Sequence, residues 1–162
     1  MKTKFWLTAF VALTLCTISP SVLMAAQASP AQAYEKLFTG QEAELVAAAE
    51  AMPADKYNFA PTNGTFTGVR TFAQQITHIA SAQYFFFGGF GIKPDVDPKA
   101  IGKLTNKDEV VKALKDSFAF AHRAIETMTA QNAFEEIGEV GNYSGHISSF
   151  SLDEARCCIA FT

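Results

Sequence analysis

The clearest helical pattern in the chain lies in residues 105–128, which read TNKDEVVKALKDSFAFAHRAIETM. Apolar residues recur there at alternating spacings of three and four, which places them on one face of an α-helix. That face comprises Val111, Leu114, Phe118, Ala121, Ile125 and Met128. The opposite side carries Lys112, Lys115, Asp116, Arg123 and Glu126. We therefore predict a long amphipathic helix, starting at Thr105, that packs in an antiparallel bundle.

Two earlier stretches have the same kind of pattern. The first opens with the sequence SPAQ at residues 29–32, in which serine caps the helix, proline suits the first turn and glutamine completes a capping box. It ends before Pro53. The second opens at Thr71, which forms a capping box with Gln74, and breaks at Gly88. Residues 53–68 and 90–105 contain proline and glycine and read as connectors.

The helical pattern stops at Gly138. The tail, residues 138–162, is rich in glycine and serine and has room for at most a short helix over 152–161. A bundle of this kind usually has a fourth helix to cover the seam between the others. We therefore predict an all-α, antiparallel up-down bundle over residues 29–137, with three long helices and an irregular C-terminal tail.

Residues 1–28 have the features of a secretory signal peptide. Lys2 and Lys4 form a positive n-region, residues 5–16 are almost wholly apolar, and Ala26 and Ala28 fit the A-x-A cleavage pattern. Cleavage after Ala26 or Ala33, or an uncleaved N-terminal anchor, are the alternatives. We expect an exported protein, periplasmic or secreted, that keeps no stable membrane anchor after cleavage.

Composition narrows the remaining possibilities. The 162 residues are 49% hydrophobic with a net charge of −3, and no basic run suggests a nucleic-acid partner. Fifteen phenylalanines imply a packed aromatic core or an apolar pocket. Cys157 and Cys158 are adjacent, so they do not form an ordinary disulfide with each other. They read as two small apolar residues, or as a soft-metal pair.

Two stretches resemble the DinB/YfiT-like family. They are residues 52–62, MPADKYNFAPT, and residues 69–80, VRTFAQQITHIA. The resemblance implies a four-helix bundle in which three histidines hold a divalent metal such as zinc or nickel. One histidine comes from helix two and two from an H-x-x-x-H pair on helix four. Some members of this family are S-transferases that use small thiols.

By this resemblance, His78 matches the metal ligand of helix two. The two other ligands have no match, because His122 and His146 are not spaced as H-x-x-x-H. His146 is a weaker second candidate and His122 reads as a flank of its helix. Without the resemblance, His78 lies about 200° from Ile76 on a helical wheel, on a polar face where a lone histidine is most often simply solvated.

Two functions remain open at this stage. The first is an exported DinB-like helical bundle that binds a divalent metal at an incomplete site and is related to thiol-dependent transferases, with unknown catalytic residues. The alternative is a non-catalytic exported module that binds a small apolar ligand or forms a homodimer. The run Phe85-Phe86-Phe87 bears on both, because three consecutive aromatics cannot all face one core. At least one faces a missing helix, a partner subunit or a ligand cavity.

Overall fold

The computed structural model describes residues 28–61, 68–140 and 143–146, with side chains up to residue 136. The elements, in chain order, are α1 (Pro30–Ala51), α2 (Phe72–Phe87), α3 (Pro98–Ile101), α4 (Lys107–Glu126), β1 (Glu136–Val140) and β2 (Tyr143–His146). Short 3-10 turns occupy Ala54–Lys56 and Gly88–Phe90. The predicted signal peptide, apart from residue 28, and both tail cysteines lie outside the described residues. No helix in the described ranges is long and apolar enough to span a membrane.

Both predicted capping boxes are confirmed. The Ser29 hydroxyl accepts a hydrogen bond from the Gln32 backbone N–H at 3.2 Å, and the Gln32 side chain accepts one from the Ser29 N–H at 2.9 Å. Thr71 and Gln74 repeat the arrangement at 3.2 and 2.8 Å. Each box satisfies two N–H groups that lack partners in the first turn, so α1 and α2 begin where the sequence predicts.

The predicted start of the last long helix was off by one position. Asn106, and not Thr105, is the N-cap, and its side chain accepts hydrogen bonds from the N–H groups of Asp108 and Glu109 at 2.9 and 3.3 Å. Asparagine at this position satisfies the same orphan donors that threonine would. Asp108 and Glu109 then lie at the positive end of the helix dipole, as expected for Asp108.

The all-α class with three long helices is confirmed, and α4 is the helix against which α1 and α2 both pack. The helix directions differ from simple up-down alternation. At one end of the bundle, Phe38 of α1 meets Phe87 at the end of α2 and Phe118 of α4. At the other end, Lys107 at the start of α4 donates to the carbonyl oxygen of Glu50 at 2.6 Å. Both α2 and α4 therefore run opposite to α1 and parallel to each other.

The parallel arrangement is possible because of the connector over residues 88–106. An α-helix of 16 residues such as α2 is about 24 Å long, and an extended chain covers about 3.3 Å per residue. The connector can thus return along the whole of α2 before α4 begins. It also contains α3, which the sequence reading missed although Asp97 caps it and Pro98 occupies its first turn.

The C-terminal tail, which the sequence predicted to be irregular, begins with a short β-hairpin. β1 and β2 are antiparallel, with Glu136 opposite His146 and Ile137 opposite Gly145. The register shifts before Val140 meets Tyr143. Two residues, glycine and asparagine, separate the strands in the sequence, which is a common hairpin connection. β1 packs near Gly88–Phe90, so the hairpin lies beyond the end of α2.

Aromatic rings fill much of the core. Phe38 is 3% exposed and its ring centroid lies 5.3 Å from Phe87 and 5.2 Å from Phe118. Tyr57, in the loop after α1, is fully buried, and its hydroxyl donates to the Ala49 carbonyl oxygen at 2.5 Å. This ring also packs edge-on against Phe72. The phenylalanine-rich composition therefore serves the core, although not all of the rings are buried.

Candidate functional site

A groove of about 490 Å³ lies between α2 and α3. Its wall is mostly apolar and has a polar side where His78 and Lys99 lie. The lining residues are His78, Ser81, Ala82, Phe85, Phe86, Pro98, Lys99 and Gly102. A concave, mainly apolar wall with a few polar groups is the usual form of a small-molecule site.

The Ser81 hydroxyl joins the two helices that form this groove. Its oxygen lies 2.8 Å from the Thr77 carbonyl oxygen on α2 and 3.0 Å from the Pro98 carbonyl oxygen on α3. The single hydroxyl proton is shared between these two acceptors. This link holds the first turn of α3 against α2 and thereby fixes the width of the groove beside His78.

The three consecutive phenylalanines divide between the core and the groove. Phe87 is 1% exposed and belongs to the core, whereas Phe85 is 42% exposed. The rings of Phe85 and Phe86 pack edge to face with centroids 5.3 Å apart, and both line the groove. The sequence predicted that at least one of these rings faces a missing helix, a partner subunit or a ligand cavity. In the structure, Phe85 and Phe86 line a cavity.

A second, more polar cavity of about 420 Å³ adjoins the first. Its lining residues are Gly68, Arg70, Gln74, Thr77, His78, Ser81 and Gly102. The two cavities share His78, Ser81 and Gly102, so they form one continuous depression with an apolar part and a polar part. His78 lies where the two parts meet.

His78 is half-buried on α2, away from the core stripe, as the helical wheel indicates. Burial lowers the pKa of its imidazole, and the positive charge of Arg70 lowers it further. The ring is therefore neutral at pH 7 and offers one N–H donor and one lone pair.

A neutral imidazole can bind a metal, so we tested whether its surroundings fit one. Among the described residues, no group of three His, Cys, Asp or Glu is arranged to hold a metal ion. The ionisable neighbours of His78 in the two cavities are the cationic Arg70 and Lys99. Since sites for first-row metals use three or four protein ligands, these residues do not fit a divalent cation. His146 is the last residue of β2, and its side chain lies beyond the part of the chain whose side chains are described.

His122 lies away from the groove, between two carboxylates of α1. Its Nδ1 lies 2.7 Å from Glu35 Oε1 and its Nε2 lies 2.9 Å from Glu42 Oε2. Burial alone would lower the pKa of His122, but the contacts and charges of Glu35 and Glu42 outweigh it and raise the pKa. Sequence reasoning missed this cluster, although two glutamates spaced seven apart on one helix face were a usable signal.

The comparisons with known proteins identify the family. The chain matches no curated protein sequence. The sequence model of the DinB superfamily matches residues 37–149. The match covers most of the chain, from α1 through the hairpin, and includes His78 and the groove beside it. This chain belongs to the DinB superfamily.

Proposed function

We propose that this protein is an exported, non-catalytic DinB-superfamily module that binds a small, largely apolar molecule in the groove between α2 and α3. The observation that carries the proposal is the pairing of Phe85 and Phe86 beside His78 in a groove of ligand size. Phe85 keeps 42% of its surface exposed there, and covering such a ring with a ligand is favourable.

The polar side chains of the groove favour ligand binding over catalysis. Ser81 is engaged with two carbonyl oxygens, and no carboxylate from the described parts of the chain lines the groove to act as a base for it or for His78. A nucleophile needs such a base, and a general acid-base pair needs two groups with opposed pKa shifts. Apart from Ser81, the polar side chains of the described lining are those of His78 and Lys99.

The test is a titration with octan-1-ol, followed by NMR on the isotope-labelled protein purified after expression of the whole chain. We expect the amide signals of Ser81, Ala82 and Gly102 to shift in a saturable way. Ala82→Phe should fill the groove and abolish the shifts. Ala47→Phe places the same ring on the exposed side of α1 and should leave them intact. Absence of saturable shifts at the groove contradicts the proposal.

Export is the second part of the proposal and has its own test. The support is the charged n-region, the apolar run and the small residues at 26 and 28. Mass spectrometry of the protein recovered from cells should show a chain that begins close to residue 29. A full-length chain retained with the membrane fraction would contradict the proposed processing.

Divalent-metal binding, with a relation to thiol-dependent transferases, is the second candidate function. It is favoured by family membership and by the neutral imidazole of His78 on the second long helix. It requires ligands from His146, from the rest of the tail, or from a partner subunit in a homodimer. Elemental mass spectrometry after exposure to Zn²⁺ or Ni²⁺ should then find about one metal per chain, lost in His78→Ala. No retained metal would remove this candidate.

A further inference from the structure

We propose that the molecule bound beside His78 carries an anionic headgroup, of the carboxylate class, on its apolar part. This inference rests on the proposed function and specifies its ligand. The apolar part lies against Phe85 and Phe86, and the anionic group lies in the polar cavity bordered by Arg70. The depression formed by the two cavities would then bind an amphipathic anion and not a divalent cation.

The apolar groove and the polar cavity adjoin each other. Because His78, Ser81 and Gly102 border both of them, a single molecule can cross from one to the other. Apolar side chains dominate the wall on one side of these three residues, and polar side chains dominate on the other. A ligand that is apolar at one end and polar at the other satisfies both walls, whereas a wholly apolar ligand would leave the polar cavity to water.

The charges beside the two cavities are positive. Arg70 and Lys99 border the depression, and no carboxylate of the described residues lines either part of it. No carboxylate of the described residues lies within ion-pair distance of either cation. The nearest acidic group along the chain is Asp97, and its side chain is occupied by the backbone N–H of Lys99 at 3.0 Å. An anion in the polar cavity would therefore meet the Arg70 guanidinium, with Lys99 on the adjoining groove and no carboxylate among the described lining residues.

The other face of α3 provides a contrast. A cavity of about 320 Å³ between α3 and α4 is also largely apolar, but its rim includes the carboxylates of Asp97, Glu109 and Asp116. Lys112 also lines that cavity, but it is paired with Asp116, so carboxylates outnumber cations there. The His78 side has cations and no carboxylate among its described lining residues, which favours an anionic ligand on that side.

Two hydrogen-bond donors line the polar cavity. The Gln74 side chain accepts from the Thr71 N–H through its oxygen, and its amide group carries two hydrogens that can donate to an anion. Arg70 adds the planar fork of donors that matches a carboxylate. An anionic acceptor can accept from both side chains, whereas the positive charge of Arg70 repels a metal cation.

The experiment compares three probes on the same NMR titration: octanoate, octan-1-ol and acetate. Octanoate and octan-1-ol share the tail and differ in headgroup charge, whereas acetate keeps the headgroup without the tail. We expect octanoate to bind about fivefold more tightly than octan-1-ol, the ratio typical of a partly exposed ion pair. Acetate should bind far more weakly than either, because it covers no apolar surface.

The double variant Arg70→Gln, Lys99→Gln should lower the ratio of octanoate affinity to octan-1-ol affinity from about fivefold to about one. Lys36→Gln, an exposed lysine on α1, is the matched control and should preserve the difference. Equal affinities of octanoate and octan-1-ol for the unchanged protein would overturn this inference and leave the proposed function standing. Failure of both probes to shift the groove signals would overturn the proposed function and this inference together.

Discussion

The imidazole Nε2 of His122 lies 2.9 Å from Oε2 of Glu42, and this contact joins α4 to α1 across 80 residues of sequence. Glu35, two turns earlier on α1, meets the other ring nitrogen at 2.7 Å. The Phe38 ring packs edge-on against the imidazole with centroids 5.6 Å apart and shields one side of it from water. The ion pairs of this cluster are present only while the imidazole is charged, so their contribution to stability depends on pH.

The free energy of unfolding should therefore fall as pH rises through the folded-state pKa of His122. Because that pKa is raised above the ordinary value near 6.5, the stabilisation is fully present below about pH 6 and is lost above the raised value. We expect a loss of roughly 0.5–1 kcal/mol, since Glu35 and Glu42 are partly solvated. Urea unfolding between pH 5.5 and about pH 9 measures it.

The His122→Gln variant is the control for that effect, since it removes the charge and keeps a polar side chain. The difference in unfolding free energy between the unchanged protein and this variant should shrink with rising pH. A difference that stays constant across the range would show that His122 contributes through packing against Phe38 alone.

Phe38→Ala should destabilise the bundle by about 3 kcal/mol, because it opens a cavity where α1, α2 and α4 meet. Its ring contacts Phe87, Phe118 and His122. The neighbouring Leu37 is 60% exposed, so Leu37→Ala should change the unfolding free energy by less than about 0.5 kcal/mol. Similar losses for the two variants would contradict the position of α1 in the bundle.

Asn106→Ala should cost about 1 kcal/mol, because it removes the side-chain acceptor for two N–H groups at the start of α4. Thr105→Ala should cost little, since Thr105 is exposed and precedes the cap. Thermal or urea unfolding of the pair tests the position of the cap directly. The opposite ranking would restore Thr105 as the first residue of the helix.

Gln83→Leu should be neutral or should stabilise the protein by about 1 kcal/mol. Gln83 is fully buried on α2, and neither its amide oxygen nor its amide nitrogen has a hydrogen-bond partner within the described ranges. A buried amide without partners carries a desolvation cost that an apolar side chain of similar size avoids. Clear destabilisation in urea would mean that Gln83 hydrogen-bonds to a group beyond those ranges.

Local signals in the sequence predicted the start of two helices correctly and one almost correctly. Ser29 with Gln32, and Thr71 with Gln74, are contacts over three residues, so the chain needs no tertiary information to form them. The same reasoning ended α2 at Gly88 and placed His78 off the core stripe. It missed α3, because four helical residues are too few for a periodic pattern even with Asp97 and Pro98 at their start.

The sequence predicted one residue of the candidate site, His78, but it did not predict which residues lie around it. The resemblance to the DinB/YfiT-like family drew attention to His78, but the residues around it come from distant parts of the chain. Arg70 precedes α2, Lys99 and Gly102 belong to the connector, and Ser81 reaches Pro98 across 17 residues. No spacing rule joins such positions, because their proximity depends on where the connector folds back.

The sequence alone determined the family, the three long helices and the caps of the first two, since these depend on periodicity, capping and motif over short distances. The tertiary structure alone decided that α2 and α4 run parallel and that His122 lies between Glu35 and Glu42. It also decided that one cation, and no carboxylate of the described residues, lines each of the two cavities beside His78. Each of these depends on packing between segments far apart in the chain. Side-chain periodicity shows which face of a helix is buried but does not show which partner buries it.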